Sequence, residues 1–105
     1  MDLKEVFDFI EAEHKRLIEH YGFSRDSKLK YTFFAKLVEE IGELSEKILT
    51  LDSLQRADKL NNEKGKIEHE IADVLLTTLI LARELGIDTE KALKEKIEKI
   101  KQRTY

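Results

Sequence analysis

The stretch KIEHEIADVLLTTLILAREL, residues 66–85, decides the fold of this chain because it carries the broadest apolar helical face in the sequence. Seven residues form that face: Ile67, Ile71, Val74, Leu75, Thr78, Ala82 and Leu85. Their offsets of mostly three and four residues are those of one side of an α-helix. Further apolar residues flank the face, so we expect this helix to be almost completely buried, at the centre of a bundle or in a subunit interface.

Two more helices are predicted before this stretch. The first covers about Leu3 to Tyr21, and Gly22 ends it. Asp26 or Ser27 can cap the second helix. The apolar stripe of the second helix consists of Leu37, Ile41, Leu44 and Ile48.

The last helix is expected from about Glu90 to Arg103. Gly86 suits the position after the end of the preceding helix, and Asp88 or Thr89 can cap the new one. The inward face of this helix would be formed by Leu93, Ile97 and Ile100.

Residues 51–65, between the second and third helices, have a weak pattern. Asp52-Ser53 could start a short helix, but Asn61-Asn62 and Gly65 are expected to interrupt regular structure. This segment is therefore predicted to be the most mobile part of the chain.

Helices of this length joined by short turns favour antiparallel neighbours. We therefore expect an all-α fold, an antiparallel helical bundle of four main helices that forms a single domain over residues 1–105. Oligomerisation should complete the bundle, because the third helix would leave an apolar patch exposed in a monomer.

Composition excludes several classes of protein. The net charge of −3 gives no electrostatic case for nucleic acid as a partner, and the absence of Cys excludes disulfides and thiolate metal sites. The longest nearly apolar run, residues 74–82, is far shorter than the roughly 20 residues that cross a bilayer. Since the N-terminus also lacks the apolar core of a signal peptide, we expect a cytoplasmic protein without a membrane or nucleic-acid partner.

Two acidic pairs, Glu40-x-x-Glu43 and Glu70-x-x-Asp73, lie beside the apolar stripes of the second and third helices. Each three-residue spacing puts both carboxylates on one helical face. Two carboxylates about 4 Å apart repel each other by on the order of 4 kcal/mol at an effective dielectric constant near 20. If the two helices pack side by side and gather the pairs, proton uptake or a divalent cation is favoured, which indicates a magnesium site.

The segments KLVEEIGEL, residues 36–44, and EIADVL, residues 70–75, resemble the EExxE and ExxD motifs of the MazG-like all-α nucleoside triphosphate pyrophosphohydrolases. The similarity continues to about residue 103. The resemblance implies cleavage between the α and β phosphates of a nucleoside triphosphate, and a role in removing non-standard or surplus nucleotides, deoxynucleotides included. It also implies a homodimer or homotetramer whose sites are enclosed by helices from two subunits.

The same resemblance assigns Mg²⁺, for which Mn²⁺ can substitute, to Glu40, Glu43, Glu70 and Asp73. Glu39 matches the first glutamate of EExxE, and Glu39 and Glu40 are the residues expected to act in catalysis, by orienting water or accepting its proton. The chemistry is consistent, because Mg²⁺ prefers oxygen ligands and is commonly shared between carboxylates and substrate phosphates.

Residues 91–105 contain six Lys or Arg against two Glu, which gives this helix a basic character. Lys96 matches a lysine that family members place near the phosphates, and Lys99 and Arg103 are further phosphate-binding candidates. A solvated helix face also explains these charges. Phe33 and Phe34 are the candidate base-binding rings, although most aromatic residues here are better explained as core.

Two other functions are alternatives to this interpretation, and the sequence opposes the first of them. A di-iron carboxylate bundle requires two Glu-x-x-His motifs, of which the chain offers one, Glu11 to His14. A non-catalytic helical dimerisation or partner-binding module would need no metal. In that case the acids would be solvated or paired with Lys36, Lys47 or Lys66.

Overall fold

Four α-helices form the regular structure of the computed structural model, which describes residues 1–21, 28–51 and 57–105, and the side chains of all of these except 57–66. They are α1 (Leu3–Tyr21), α2 (Leu29–Leu49), α3 (Ala57–Glu84) and α4 (Thr89–Lys101). No strand occurs in these described ranges. The predicted all-α class is confirmed.

The N-terminal ends of α1 and α4 are capped by aspartate side chains. The Asp2 side chain accepts a hydrogen bond of 2.9 Å from the Glu5 amide at the start of α1. At the start of α4, Asp88 is the N-cap and accepts one of 3.1 Å from the Lys91 amide. Asp88, one of the two residues predicted for this role, is thus the cap.

The start of α2 differs from the sequence-based expectation. Its N-cap is Lys28, whose side chain makes no capping hydrogen bond. The predicted caps, Asp26 and Ser27, lie outside the described residues, as does Gly22.

Gly86 ends α3 as predicted. Its φ angle is 71°, in the left-handed region that residues other than glycine rarely adopt. The Ile87 amide donates to the Ala82 carbonyl at 3.0 Å, and the Gly86 amide donates to the Arg83 carbonyl at 3.1 Å. These two bonds form a Schellman motif, which satisfies carbonyls at the helix end.

The beginning of α3 corrects one prediction. The helix starts at Ala57 and continues through Asn61, Asn62 and Gly65, so these residues do not interrupt regular structure. Helix propensity is a weak preference that context overrides. The predicted short helix at residues 52–53 lies outside the described residues, and the mobility of residues 51–65 stays a prediction.

α3 is the central helix, since it packs against α1, α2 and α4. The buried core lies between α1, the first turns of α2 and the second half of α3, and it consists of Ile10, Leu29, Phe33 and Ile80. This small core places the middle of α2 beside the middle of α3, where both acidic pairs lie.

The inner faces of α2 and α3 are rotated from the predicted stripes. Toward α3, α2 presents Phe33, Leu37, Glu40 and Leu44, while Ile41 is 48% exposed. On α3, Leu75 is 60% exposed. The prediction that α3 is almost completely buried is therefore wrong for a single chain. Of the four acidic residues, Glu40 and Glu70 lie within the helix–helix contact, while Glu43 and Asp73 are exposed beside it.

α4 packs only against α3 among the described elements. Its predicted inward residues, Leu93, Ile97 and Ile100, are between 42% and 49% exposed, so this chain alone does not cover them. Within the described residues, no helix has the length and apolar character that a membrane span requires.

Candidate metal centre

Three carboxylates from two helices meet where α2 packs on α3. Glu40 and Glu43 of α2 and Glu70 of α3 each offer an oxygen, and these three oxygens lie within 4.8 Å of one another. The i, i+3 spacing puts the two α2 carboxylates on one side of the helix. Packing against α3 then adds the third.

Two of these carboxylates contain a buried oxygen without a partner. The Oε2 atoms of Glu40 and Glu70 are inaccessible to solvent and accept no hydrogen bond in the structure. A buried polar group left unsatisfied costs about 1–3 kcal/mol, and more when it is charged. Two such oxygens beside a third carboxylate are a donor set for a hard cation.

Lys36 satisfies only part of this negative charge. Its Nζ lies 3.3 Å from Glu40 Oε1 and 3.6 Å from Glu39 Oε1, one turn earlier on α2. Pairing with these acids, Glu40 foremost, raises the pKa of Lys36. Lys36 thus accounts for one oxygen of Glu40 and leaves the other unpartnered. The side chain of Lys66 lies outside the described residues, and neutralisation of the acids by lysines stays an alternative.

The environment of Glu40 opposes its ionisation. Burial is the main reason that its pKa is raised, and the neighbouring charges of Glu43 and Asp73 raise it further, while Lys36 lowers it. Desolvation and like charges both disfavour a carboxylate. A cation bound here would relieve both effects.

Asp73 and Glu39 lie next to the three-carboxylate group rather than within it. Asp73 is exposed and its charge acts on Glu40. The Asp73 carbonyl accepts a 2.6 Å hydrogen bond from the Thr77 hydroxyl. The Glu39 side chain is 59% exposed. The structure thus brings three of the four predicted metal ligands together, with the fourth close enough to influence them.

The predicted phosphate-binding residues lie away from this packing contact. Lys96, Lys99 and Arg103 are exposed on α4, which contacts α3 but not α2. No ion pair recorded for the described residues links them to the three carboxylates.

The two candidate base-binding rings have different environments. Phe33 is 2% exposed, and its ring centroid lies 5.8 Å from that of His14 and 6.3 Å from that of Tyr21. Phe33 is thus a core residue that also lines a cavity between the helices, and its role in base binding stays a prediction. Phe34 is 55% exposed, and its role stays a prediction.

Sequence reasoning missed the contribution of α1. A cavity beside the acids is lined by Lys36 of α2 and Asp73 of α3. Four residues of α1 also line it: Phe9, Glu13, Leu17 and Tyr21. These residues are far from the acidic motifs in the chain, and no spacing rule connects them to α2 or α3. Only packing reveals their proximity.

This all-α chain gathers three carboxylates between two packed helices, a group that could hold a divalent cation. The donors fit such an ion, because an oxygen-only set with unpartnered buried atoms suits hard cations. Residues 29–105 match the family model of the MazG nucleotide pyrophosphohydrolase domain, and the chain therefore belongs to this family. No curated protein and no solved structure matches the chain.

Proposed function

We propose that the chain hydrolyses nucleoside triphosphates to a nucleoside monophosphate and pyrophosphate, with Mg²⁺ held by Glu40, Glu43, Glu70 and Asp73. One observation carries the proposal. In a member of the MazG nucleotide pyrophosphohydrolase family, three carboxylates lie within 4.8 Å, and two of them have buried oxygens without a partner. Mn²⁺ is the expected substitute ion.

The metal has a simple electrostatic task. When bound, Mg²⁺ supplies the positive charge that draws phosphate oxygens to a site which would otherwise repel them. The carboxylates hold and orient that charge, and Lys36 limits the excess negative charge around Glu40. Catalysis of this kind depends mainly on positioning and on charge stabilisation.

The reaction needs a group that accepts a proton. A water oxygen forms a bond to phosphorus, the anhydride bond between the α and β phosphates breaks, and pyrophosphate leaves with the bonding electrons. Glu39 is accessible beside the carboxylate group and takes the proton of the attacking water. Glu40 is the second candidate acceptor, because its Oε2 atom has no hydrogen-bond partner in the structure.

Substrate contacts come from other parts of the chain. Lys96, Lys99 and Arg103 bind the phosphates, and because α4 does not contact α2 in the described part of one chain, we propose that α4 of a second subunit brings them to the site. Exposed Phe34 contributes to the base-binding surface. The substrates we propose are non-standard or surplus nucleotides, deoxynucleotides included, in the cytoplasm.

The accessible surface supports an oligomer with further helices beside each site. Leu75 of α3 and Ile97 of α4 are among the large apolar residues that are about half exposed or more. We propose a homodimer or homotetramer in which antiparallel helices from two subunits cover these residues.

A panel of triphosphates incubated with Mg²⁺ tests the activity, with pyrophosphate and phosphate release measured separately. Glu43→Gln and Asp73→Asn should each lower kcat/KM at least about a hundredfold, as loss of an electrostatic catalytic group commonly does. Glu46→Gln, one turn further along α2 and exposed, is the matched control and should retain activity. Release of single phosphates, or full activity in both variants, would contradict the proposal and favour a non-catalytic helical module.

A further inference from the structure

The helix α1 lies outside the residues that match the MazG family, which begin at residue 29, yet it is firmly attached to α3. Arg83 donates two hydrogen bonds to the Glu11 carboxylate, of 2.6 and 2.9 Å. The side chains of His14 and Glu84 are 3% and 9% exposed, and His14 Nε2 lies 3.2 Å from Glu84 Oε1. Hydrogen bonds that involve charged and buried groups fix orientation. α1 therefore holds a defined position against the rest of the fold.

With α1 in this position, residues of α1, α2 and α3 line an open cavity of about 220 Å³. Six of its ten lining residues have apolar or aromatic side chains, Phe9 and Tyr21 of α1 among them. Pockets for drug-sized ligands usually have volumes of roughly 300–1,000 Å³. The cavity thus suits one flat ring system rather than a complete nucleotide.

The cavity adjoins the carboxylate group. Asp73 and Lys36 line it, and Lys36 is also the ion-pair partner of Glu40 at 3.3 Å. If phosphates bind at the carboxylates, as the proposed function requires, the base of the same molecule is the part that could occupy this apolar space. The chemistry of the wall then decides which base is accepted.

Glu13 gives this wall a hydrogen-bond acceptor. Its side chain is 15% exposed, and Arg16 binds it from the solvent side. Two donors of Arg16 lie 3.1 and 3.0 Å from Glu13 Oε1, and one lies 2.7 Å from Oε2. A carboxylate has about four acceptor positions. Arg16 therefore leaves one position, on Oε2, for a single further donor.

We propose that this cavity receives the base of the triphosphate and that Glu13 selects a base with an exocyclic amino group. The inference rests on the proposed function. An amino group donates to the remaining Oε2 position, whereas an oxo group at the same place would put two acceptors against each other. Guanine would bind less favourably than cytosine or adenine. Its two neighbouring N–H groups need both oxygens of one carboxylate, and Arg16 already occupies Oε1 of Glu13.

CTP and UTP form the sharpest test, since they differ only in the amino or oxo group at ring position 4 and in the proton that uracil carries on the adjacent N3. With Mg²⁺, the unmodified protein should favour CTP by at least about tenfold in kcat/KM, the effect of one hydrogen bond to a charged acceptor. Glu13→Gln should reduce the preference to near parity, because the amide can also donate to the oxo group. Glu19→Gln, on the exposed surface of α1, is the matched control and should retain the preference.

A binding experiment without catalysis separates the two proposals. NMR titration with CMP and UMP should show tighter binding of CMP, with shifts at the α1 residues of the cavity, and Glu13→Gln should abolish the difference. Hydrolysis without discrimination between CTP and UTP, or with equal discrimination in Glu13→Gln, overturns the role of Glu13 and leaves the proposed function intact. Selective CMP binding without hydrolysis supports base binding in the cavity and overturns the proposed function. If the protein shows neither selective CMP binding nor hydrolysis, both proposals are overturned.

Discussion

Glu43→Gln should change the stability of this protein in opposite directions with and without metal. Glu43 is the exposed member of the three-carboxylate group. At the 4.8 Å limit that contains the three oxygens, each pair of charges repels by about 3.5 kcal/mol at a dielectric constant near 20, and by about 0.9 kcal/mol in water. Glutamine at this position removes two such pairs and leaves the ion pair between Lys36 and Glu40 in place.

Because Glu43 is exposed, the repulsion that glutamine removes should be near the value in water. The free energy of unfolding of the metal-free protein should therefore rise by about 1–2 kcal/mol. For a domain of this size, that raises the melting temperature by roughly 5–10 °C. Mg²⁺ at a hundred times its Kd would stabilise the unmodified protein by about 2.7 kcal/mol. The Glu43→Gln variant lacks one metal ligand, so Mg²⁺ should stabilise it much less. With Mg²⁺, the unmodified protein should therefore be more stable than the variant.

Thermal unfolding followed by circular dichroism, in low salt with EDTA and then with millimolar Mg²⁺, measures this crossover at one protein concentration. Glu46→Gln carries the same change of charge on α2 outside the group and should show no crossover. If Glu43→Gln shifts the melting temperature equally in both conditions, the carboxylates are ordinary surface charges and the reasoning is refuted.

Three further predictions concern charge, core and assembly. Burial and like charges raise the pKa of Glu40, so the folded metal-free protein binds this proton more tightly than the unfolded chain. The free energy of unfolding should therefore decrease as the pH rises from 4.5, the ordinary pKa of a glutamate, through the raised pKa of Glu40 in the folded protein. Urea unfolding at a series of pH values should show a smaller decrease for Glu40→Gln. Phe33→Ala should cost about 3–5 kcal/mol by urea unfolding, because the ring is buried where α1, α2 and α3 meet, and a loss below about 1 kcal/mol would contradict its place in the core. Leu75→Glu should convert the proposed oligomer to a monomer in light scattering, because it puts a charge on an exposed apolar face of α3, and unchanged mass would exclude that face from the interface.

Helix positions were largely predictable because the information is local. The limits of α1 match the prediction. Asp88 caps the start of α4, and Gly86 follows the end of α3, because capping and left-handed backbone geometry depend on a few neighbouring residues. The early part of α3 was not predictable in this way. Asn61 and Gly65 have poor helix propensity, yet the helix includes them.

The sequence by itself determined that the chain is helical and that two pairs of acids lie on two helices, because periodicity and spacing are properties of each segment. Tertiary structure decided how those helices are rotated against each other. The rotation moves Glu40 into the contact and leaves Ile41 and Leu75 exposed. It also decided that α1 forms a wall of a cavity beside the acids, with Glu13 in it. Packing between distant segments depends on all contacting surfaces at once, so no local pattern contains it.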